Sequence, residues 1–484
     1  MTPASATPAS AVPLDPEFLH AFRTGRLTED QAQTFAEQDP IAIKFQMLQL
    51  TGLVAPKASP HAPPSSQSPF DTPAPKPKRR KKPGAKPGHA GHARPQPERI
   101  DHHKNHQLDA CPDCGGTLAR TGRTRKRYTE DLPADLHAEA TEHTIHRDWC
   151  PGGKKQVEAK VPDALPHCTL GNRAVAFTAF LHYGVGTTTS QVADVLNAHL
   201  QLTITAGGLT QMWHRRADVL KPWYERIWRD CSTASVLNAD ETGWYLNGDL
   251  VWLWCFCTNR STYYAIDESR GHAALDKFFA EEFQGVLVTD FWRAYDATAR
   301  MNQKCWAHLL RELKEVDERP DGARDDWPEF AKKLRRIYTD AVRLAAAGES
   351  TPPMPPGERD SKVARLHRRA IELATAEWTH PDARRLAARL LKYGEDLLTF
   401  AEFDGVPATN NRAEREFRPA VLMRKASYGS GSLRGAETRA VLMSVYRTLK
   451  TRGVDPLAEV QNALETYSKT GVMPPLPVES GSSG

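Results

Sequence analysis

Four short apolar runs between residues 234 and 292 constrain the fold of this chain more than any other feature. They are rich in Val, Leu, Trp and Tyr, and turn signals such as Asn247-Gly248 separate them, so each run predicts a β-strand. The runs read ASVLNAD, LVWLWCFCT, STYYAIDES and GVLVTDFW. The first three are close enough for an antiparallel meander, whereas GHAALDKFFAEEF, with helical spacing, separates the third from the fourth. This order predicts that the first and fourth strands lie side by side and parallel.

Acidic residues come at the ends of the first and fourth runs. Asp240 and Glu241 end the first run, and Asp290 ends the apolar part of the fourth. If these strands are parallel neighbours, Asp240 and Asp290 project from adjacent strand ends, at the edge where α/β folds place their sites. Two such carboxylates can share Mg²⁺ or Mn²⁺, because hard cations take oxygen ligands. The alternative is that each acid caps a helix or lies in a solvated turn.

A third carboxylate, carried by a helix, would complete a two-metal site for in-line phosphoryl displacement. Glu414, in TNNRAEREFRP, is the candidate. Glu416 points roughly 200° away on the same predicted helix, and we expect it to face solvent beside Arg412 and Arg415. The predicted buried stripe of this helix consists of Ala413, Phe417, Ala420, Val421 and Arg424.

Several neighbours of these acids have open roles. Glu241 either faces solvent or supports Asp240. His308, in CWAHLLREL, has two candidate roles. It hydrogen-bonds near the acids or to a phosphate, or it is a structural histidine whose ring nitrogens are bonded to other protein groups. Four tryptophans are expected mainly in the core, although one of them could stack on a flipped base: Trp252, Trp254, Trp292 and Trp306.

A basic segment, residues 74–95, is rich in proline and glycine and cannot bury a core, so it predicts a disordered linker. Its cations would neutralise DNA phosphates without reading sequence, although a solubilising tether is the alternative. The cations are Lys76, Lys78, Arg79, Arg80, Lys81, Lys82 and Lys86. With Arg412 and Arg415, the run from Lys78 to Lys82 forms the predicted DNA-binding set.

A cysteine-bearing segment follows the linker. Cys111 and Cys114, in CPDCGG, have the spacing of half a tetrahedral zinc site, and Cys150 offers a third ligand. The fourth ligand would be one of His143, His146, His167 and Cys168. A metal-free remnant or a set of reduced thiols is the alternative.

Two stretches beyond this segment are helical in pattern. Residues 170–230 suit a helix-turn-helix with Arg215 and Arg216 on its second helix, or a helical hairpin that does not read DNA. Residues 325–400 are helical and charged. The boundaries we expect are an N-terminal segment with short helices (1–60), a disordered basic linker (61–107), a zinc-binding-like module (108–168), a helical DNA-binding-like segment (169–232), a catalytic domain (233–450) with a helical insertion (320–400), and a C-terminal helix and tail (451–484).

The composition is that of a soluble globular protein, with 40% hydrophobic and 25% charged residues. The sequence lacks any apolar run of about eighteen residues and any cationic-then-apolar signal at its N-terminus. We therefore expect a cytoplasmic protein with no membrane partner. Eight cysteines are too few for a disulfide scaffold in a chain of 484 residues.

Five blocks of the sequence resemble the signature blocks of transposases of insertion-sequence family sixty-six, the TnpC-type DDE enzymes. In order, they read NADETGW, VTDFWRAYD, CWAHLLREL, TNNRAEREFRP and GSGSLRGAE, and the likeness runs from about residue 108 to 470. Two departures are that the second CPxCG knuckle is reduced to CPGG, and that the N-terminal segment lacks a long heptad run.

The resemblance implies a multidomain α/β protein. Its ribonuclease-H-like catalytic core would carry a helical insertion before the glutamate, preceded by a small zinc-ribbon-like module and a helix-turn-helix-like segment. It also implies that Asp240, Asp290 and Glu414 are the metal-binding triad.

The resulting hypothesis is a DNA transposase that cuts and joins the ends of its own element, with water and then a DNA 3′-hydroxyl as nucleophiles. We expect Mg²⁺ or Mn²⁺ at the triad, structural Zn²⁺, and a homo-oligomer on element-end and target DNA, with accessory proteins of the same element as candidate partners. The alternatives are a catalytically inactive DNA-binding protein derived from a transposase, and a ribonuclease-H-like nuclease without strand transfer.

Overall fold

The computed structural model describes residues 96–478 except 120–122, 134, 167, 280, 320–321, 323, 349–354 and 356, and it also describes Thr28 and Gln33. The chain divides into two compact units, Met1–Asp71 and Thr72–Gly484, and all elements below belong to the second. The helices predicted within 1–60 fall outside the described residues, apart from Thr28 and Gln33, and so do the linker cations. Among the described residues, every helix is too short or too polar to cross a lipid bilayer.

The cysteine-bearing segment contains a small antiparallel hairpin. Strand β1 (Arg147–Cys150) pairs with strand β2 (Lys155–Glu158), with Cys150 opposite Lys155. Nearly all side chains of the hairpin are exposed, including Trp149 at 61%. The hairpin therefore buries little apolar surface of its own.

Three helices follow the hairpin, α1 (Asn172–Ala179), α2 (Thr189–Leu200) and α3 (Ala206–Ser232). Helix α2 begins with a capping box, in which the side chains of Thr188 and Gln191 satisfy backbone N–H groups at the helix start. The predicted pair of helices joined by a short turn is thus confirmed for α2 and α3. Arg215 is exposed, but Arg216 is buried and donates to the side chain of Asn172, so Arg216 cannot reach DNA.

A five-stranded mixed sheet forms the centre of this unit, in the spatial order β5-β4-β3-β6-β7. Its strands are β3 (Val236–Leu246), β4 (Asp249–Cys257), β5 (Thr262–Asp267), β6 (Phe283–Thr289) and β7 (Ala299–Lys304). Strands β3, β4 and β5 pair antiparallel, β6 lies parallel to β3, and β7 lies parallel to β6. Helix α4 (His272–Phe278) precedes β6. The predicted meander and the predicted parallel pairing of the first and fourth strands are both confirmed.

The predicted end of the first strand is wrong. Strand β3 does not stop at Asp240 but continues to Leu246, because it pairs with β4 along its whole remaining length. The hairpin closes at Asn247 and Gly248, whose φ angles of 52° and 96° are those of a tight two-residue turn. What does end before Asp240 is the parallel pairing with β6, whose last residue pair is Asn238 and Val288.

Helices cover both faces of the sheet, and those after β7 lie where they were predicted. They are α5 (Trp306–Asp317), α6 (Trp327–Gly348), α7 (Glu358–Thr375), α8 (Pro381–Tyr393), α9 (Thr399–Glu402), α10 (Asn411–Ser427), α11 (Leu433–Thr451) and α12 (Pro456–Thr470). Helices α1, α2, α3, α10, α11 and α12 share one core with the meander, while α5 to α9 form another that includes Val286 and Val288 of β6. A third core, around Trp254, Leu275 and Leu287, fills the opposite face. Each fully buried Leu or Val contributes about 1.5–3 kcal/mol to these cores.

Candidate active site

Asp240 and Asp290 follow the last residue pair of two adjacent parallel strands at the same distance along the chain. That pair joins Asn238 to Val288; two residues later come Asp240, within β3, and Asp290, the first residue after β6. Because side chains alternate along a strand, continuing this register directs both carboxylates to one face of the sheet. On the far side of β6, Thr289 pairs with Lys304, so Cys305 reaches this level as well.

Asp240 is a buried carboxylate without a cationic partner among the described residues. It is 8% exposed, and its Oδ1 accepts a hydrogen bond of 3.0 Å from the backbone N–H of Glu241. Burial raises the pKa of Asp240 well above its usual range, and the charges of Glu241, Asp290 and Glu414 raise this pKa further. Asp290 is more exposed, and its Oδ1 accepts the backbone N–H of Trp292 at 2.8 Å.

Glu414 reaches this cluster from the first turn of α10. Its Oε1 lies 3.9 Å from Nε2 of His308 and 3.8 Å from a guanidinium nitrogen of Arg311, both on α5. These separations are too long for hydrogen bonds, and Oε1 of Glu414 is buried without a hydrogen-bond partner. The His308 ring is buried, which lowers its pKa, while the charges of Asp290 and Glu414 act in the opposite direction. The charges of Asp290 and Glu414 both act on Asp240, but the described residues whose ligand atoms lie within 4.8 Å of one another are Cys305, His308 and Glu414. The sequence had not indicated Arg311.

Asn410, the residue before α10, joins the segments that carry these groups. Its side-chain amide donates to the carbonyl of Ala239 at 2.8 Å and accepts from Asn238 at 2.9 Å, both on β3. Its backbone N–H donates to the sulfur of Cys305 at 3.1 Å, and its carbonyl accepts the N–H of Glu414. Asn410 is 1% exposed and thus ties β3, the start of α5 and the start of α10 together.

A family model described as "Transposase IS66 family" matches residues 167–438 of this chain, which is more than half of its length. The chain belongs to this family. The predicted resemblance is therefore confirmed, and at family level the protein is a transposase.

The similar proteins include three from Sinorhizobium fredii (strain NBRC 101917 / NGR234). The uncharacterized protein y4jD is 25% identical over 393 residues, which cover 74% of this chain and 74% of the relative. The uncharacterized protein y4qI is 25% identical over 231 residues, covering 43% and 42%. Among solved structures, the catalytic domain of Mos1 mariner transposase matches 46% of this chain and 93% of its own length, at 13% identity and a TM-score of 0.12. At that score the structural likeness is too weak to support a conclusion about this chain.

In this IS66-family transposase, Glu241 supports its neighbours and does not face solvent. Its side chain points away from that of Asp240 along the strand, and its Oε1 accepts from Arg270 at 3.0 Å and 2.9 Å. Its Oε2 accepts the hydroxyl of Tyr295 at 2.5 Å. Burial raises the pKa of Glu241 to about 7, with Asp290 adding to the rise and Tyr295 and Arg270 opposing it. Both carboxylate oxygens are therefore taken, which explains why the two adjacent acids differ in role.

Arg270 lies between two tryptophans at this support. Its guanidinium carbon is 4.7 Å from the ring centroid of Trp252 and 4.1 Å from that of Trp292. Both rings are half-buried and pack against the third core, which contains Trp254, whereas Trp306 lies in the core of α5 to α9. The expected core position is therefore confirmed for Trp254 and Trp306, and the other two tryptophans lie at the edge of the core. The backbone N–H of Trp292 donates to Asp290. The stack of Arg270 on Trp292 therefore connects Glu241 to the loop after β6.

The expected solvent exposure of Glu416 is wrong. Glu416 is 8% exposed, and its Oε2 accepts from the guanidinium of Arg447 on α11 at 2.8 Å and 2.7 Å. The reason is that α10 packs on two sides, against the sheet and against α11, so the buried arc is wider than one stripe. The predicted stripe itself is buried as expected. Arg412 is half-buried and donates to the carbonyl of Thr258 at 3.3 Å, while Arg415 is exposed.

The cysteine-bearing segment shows part of the predicted knuckle. Backbone N–H groups of Asp113 and Cys114 lower the pKa of the Cys111 thiol, which favours the thiolate form that binds metals. The sulfur of Cys150 accepts the N–H of Gly153 at 3.3 Å. Among the described residues, however, Cys150 forms no three-residue ligand cluster with Cys111 and Cys114, and His167 lies outside the described part of the chain. The zinc site stays a prediction.

Proposed function

We propose that this protein is a DNA transposase that cleaves and joins DNA strands by metal-dependent phosphoryl transfer, with Asp240, Asp290 and Glu414 as its triad. The observation that supports the proposal is the register between β3 and β6, whose last pair lies two residues before each aspartate, together with the influence of the charges of Asp290 and Glu414 on Asp240. Membership of the transposase family supports the reaction class. The order of three antiparallel strands followed by two parallel ones supports a ribonuclease-H-like core.

The donor set fits divalent cations. Three carboxylates supply only oxygen ligands, which Mg²⁺ and Mn²⁺ prefer. Oε1 of Glu414 is buried without a hydrogen-bond partner, and Asp240 is buried among other acids that raise its pKa. Both features cost free energy that a bound cation would offset.

In the proposed reaction these residues have different roles. Asp240, Asp290 and Glu414 would hold the cations, which when bound stabilise the attacking and leaving oxygens of the displacement. Arg311, beside Glu414, is placed to neutralise phosphate charge at the edge of the site. Asn410 and the Glu241–Arg270 pair hold the carboxylates in place, so that little reorganisation is needed during the reaction.

DNA is the proposed substrate, as element ends and as target. The linker cations from Lys78 to Lys82, together with Arg412 and Arg415, would bind phosphates, while the helical segment of α2 and α3 and the proposed zinc module would contribute to end recognition. We also propose that the protein acts as a homo-oligomer in the cytoplasm, with accessory proteins of the same element as candidate partners.

The test is a strand-cleavage and joining assay on DNA that carries the element ends, with random DNA of equal length as control. Wild-type protein with Mg²⁺ is expected to nick the end-bearing DNA and to join its 3′-hydroxyl to a target strand. Asp240→Asn and Asp290→Asn should each abolish both steps and retain binding of end DNA, measured by gel shift. Nicking without joining would instead indicate a nuclease, and end binding without either step would indicate an inactive DNA-binding protein.

A further inference from the structure

His308 and Glu414 face each other across a gap that no hydrogen bond bridges. Nε2 of His308 lies 3.9 Å from Oε1 of Glu414. Oε1 of Glu414 and Nδ1 of His308 are both buried and have no hydrogen-bond partner. Buried polar atoms are rarely left unpaired, since each unpaired group costs about 1–3 kcal/mol. The unpaired Oε1 of Glu414 lies on the gap itself, whereas the unpaired nitrogen of His308 is not the one nearest Glu414, so a group bound to Oε1 would lie beside the imidazole ring.

The width of the gap suits a cation. Ligand atoms about 2.1 Å from one metal ion lie roughly 3–4 Å from each other, depending on the angle between them. The charge of Asp290 also acts on the His308 ring, so the ring lies near Asp290 as well as near Glu414. Arg311 also lies 3.8 Å from Oε1 of Glu414, but the two carboxylates of Asp290 and Glu414 leave a net negative charge around the gap, which complements a divalent cation.

Cys305 closes the back of this gap. Its sulfur and the ligand atoms of His308 and Glu414 all lie within 4.8 Å of one another. The sulfur already accepts the backbone N–H of Asn410 at 3.1 Å, and Cys305 is completely buried. The donors left for a cation are therefore the imidazole nitrogen and the carboxylate oxygens.

We infer that His308 supplies a nitrogen ligand to the cation held by Glu414, so that this position favours a transition-metal cation such as Mn²⁺, which accepts an imidazole nitrogen more readily than Mg²⁺ does. The inference rests on the proposed function, because it takes Glu414 as a ligand of the catalytic metal. Imidazole nitrogen strengthens binding of transition metals, whereas Mg²⁺ gains little from replacing oxygen by nitrogen. A purely structural histidine would have both ring nitrogens satisfied by protein groups, which is not the case here.

The direct test is pulsed electron paramagnetic resonance of Mn²⁺ bound to the full-length protein. Wild-type protein is expected to show modulation from a directly bound imidazole ¹⁴N, which changes to the ¹⁵N pattern when only histidine is labelled with ¹⁵N. His308→Gln should remove the modulation. His272→Gln should retain it, because His272 is half-exposed on α4 and its ring lies beside Asp276 and not beside Glu414.

Metal affinities give a second readout. His308→Gln is expected to weaken Mn²⁺ binding about tenfold while Mg²⁺ binding changes little, since only the transition metal loses a favoured donor. His308→Asn serves as the second variant if the first is poorly folded, and circular dichroism checks the fold of both.

Oxygen-only coordination of Mn²⁺ in the wild type, or nitrogen modulation that persists in both His308 variants, overturns the inference. If Mn²⁺ still binds to the wild type, and Asp240→Asn abolishes Mn²⁺ binding and DNA cleavage, the proposed function stands without this inference. Failure of the wild type to bind any divalent cation would overturn both.

Discussion

Asp240 and Glu241 are adjacent in sequence and buried to a similar degree, yet their environments are opposite. The side chain of Asp240 has no cationic partner among the described residues, whereas that of Glu241 is bound by Arg270 and Tyr295. The alternation of side chains along β3 separates them, since one faces Asp290 and α10 and the other faces the third core. Of these two adjacent acids, we propose Asp240 as a metal ligand, whereas Glu241 is held by Arg270 and Tyr295 as a support.

This difference predicts opposite effects on stability at neutral pH in the absence of metal. Asp240→Asn should raise the free energy of unfolding by about 1–2 kcal/mol, because it removes a buried charge whose pKa is raised mainly by burial. Glu241→Gln should lower it by about 1–3 kcal/mol, because Arg270 then loses its charged partner. Thermal unfolding with a chelator present measures both, and a loss of stability in Asp240→Asn would contradict this account of the site.

At the scale of elements, the site depends on how α10 is attached to the sheet. Asn410 makes its contacts just before the helix begins, and Glu414 follows one turn later. Asn411, the first residue of the helix, is exposed. Substitution of these two neighbouring asparagines therefore distinguishes a residue that joins α10 to the sheet from a residue that only lies on the surface.

Asn410→Ala should lower the turnover number by about tenfold and weaken metal binding, because the position of Glu414 relative to β3 is then less well fixed. Asn411→Ala should change neither. Turnover per folded molecule and Mn²⁺ affinity are the readouts, because a purely structural defect would reduce the folded fraction and leave both unchanged. An Asn410→Ala protein that is less stable but fully active would contradict the junction role.

The sequence predicted four of the five strands of the sheet and their order, because strand period and the β-β-β-α-β order are local signals. The contacts of Asn410 could not be predicted, since its partners lie 105 to 172 residues away in the chain. The ion pair of Glu416 with Arg447 was missed for a related reason, because one helical stripe does not indicate a second packing partner. The continuation of β3 beyond Asp240 was visible only in the turn at Asn247 and Gly248.

At the scale of the whole molecule, the account requires residues far apart in the chain to form one metal site. Asp290 and Glu414 are separated by the helices α5 to α9, which form a core of their own against β6. Glu414 is the least certain member of the triad, because Glu416 lies only two residues away on the same helix and is more deeply buried. The assignment of the third ligand is therefore the central claim.

The most direct measurement compares Mg²⁺-dependent cleavage of element-end DNA by Glu414→Gln and Glu416→Gln. Glu414→Gln is expected to retain DNA binding and lose cleavage, because one metal ligand is gone. Glu416→Gln should cleave at a substantial fraction of the wild-type rate and lose stability, because only its ion pair with Arg447 is weakened. Cleavage by Glu414→Gln together with its loss in a well-folded Glu416→Gln protein would contradict the account.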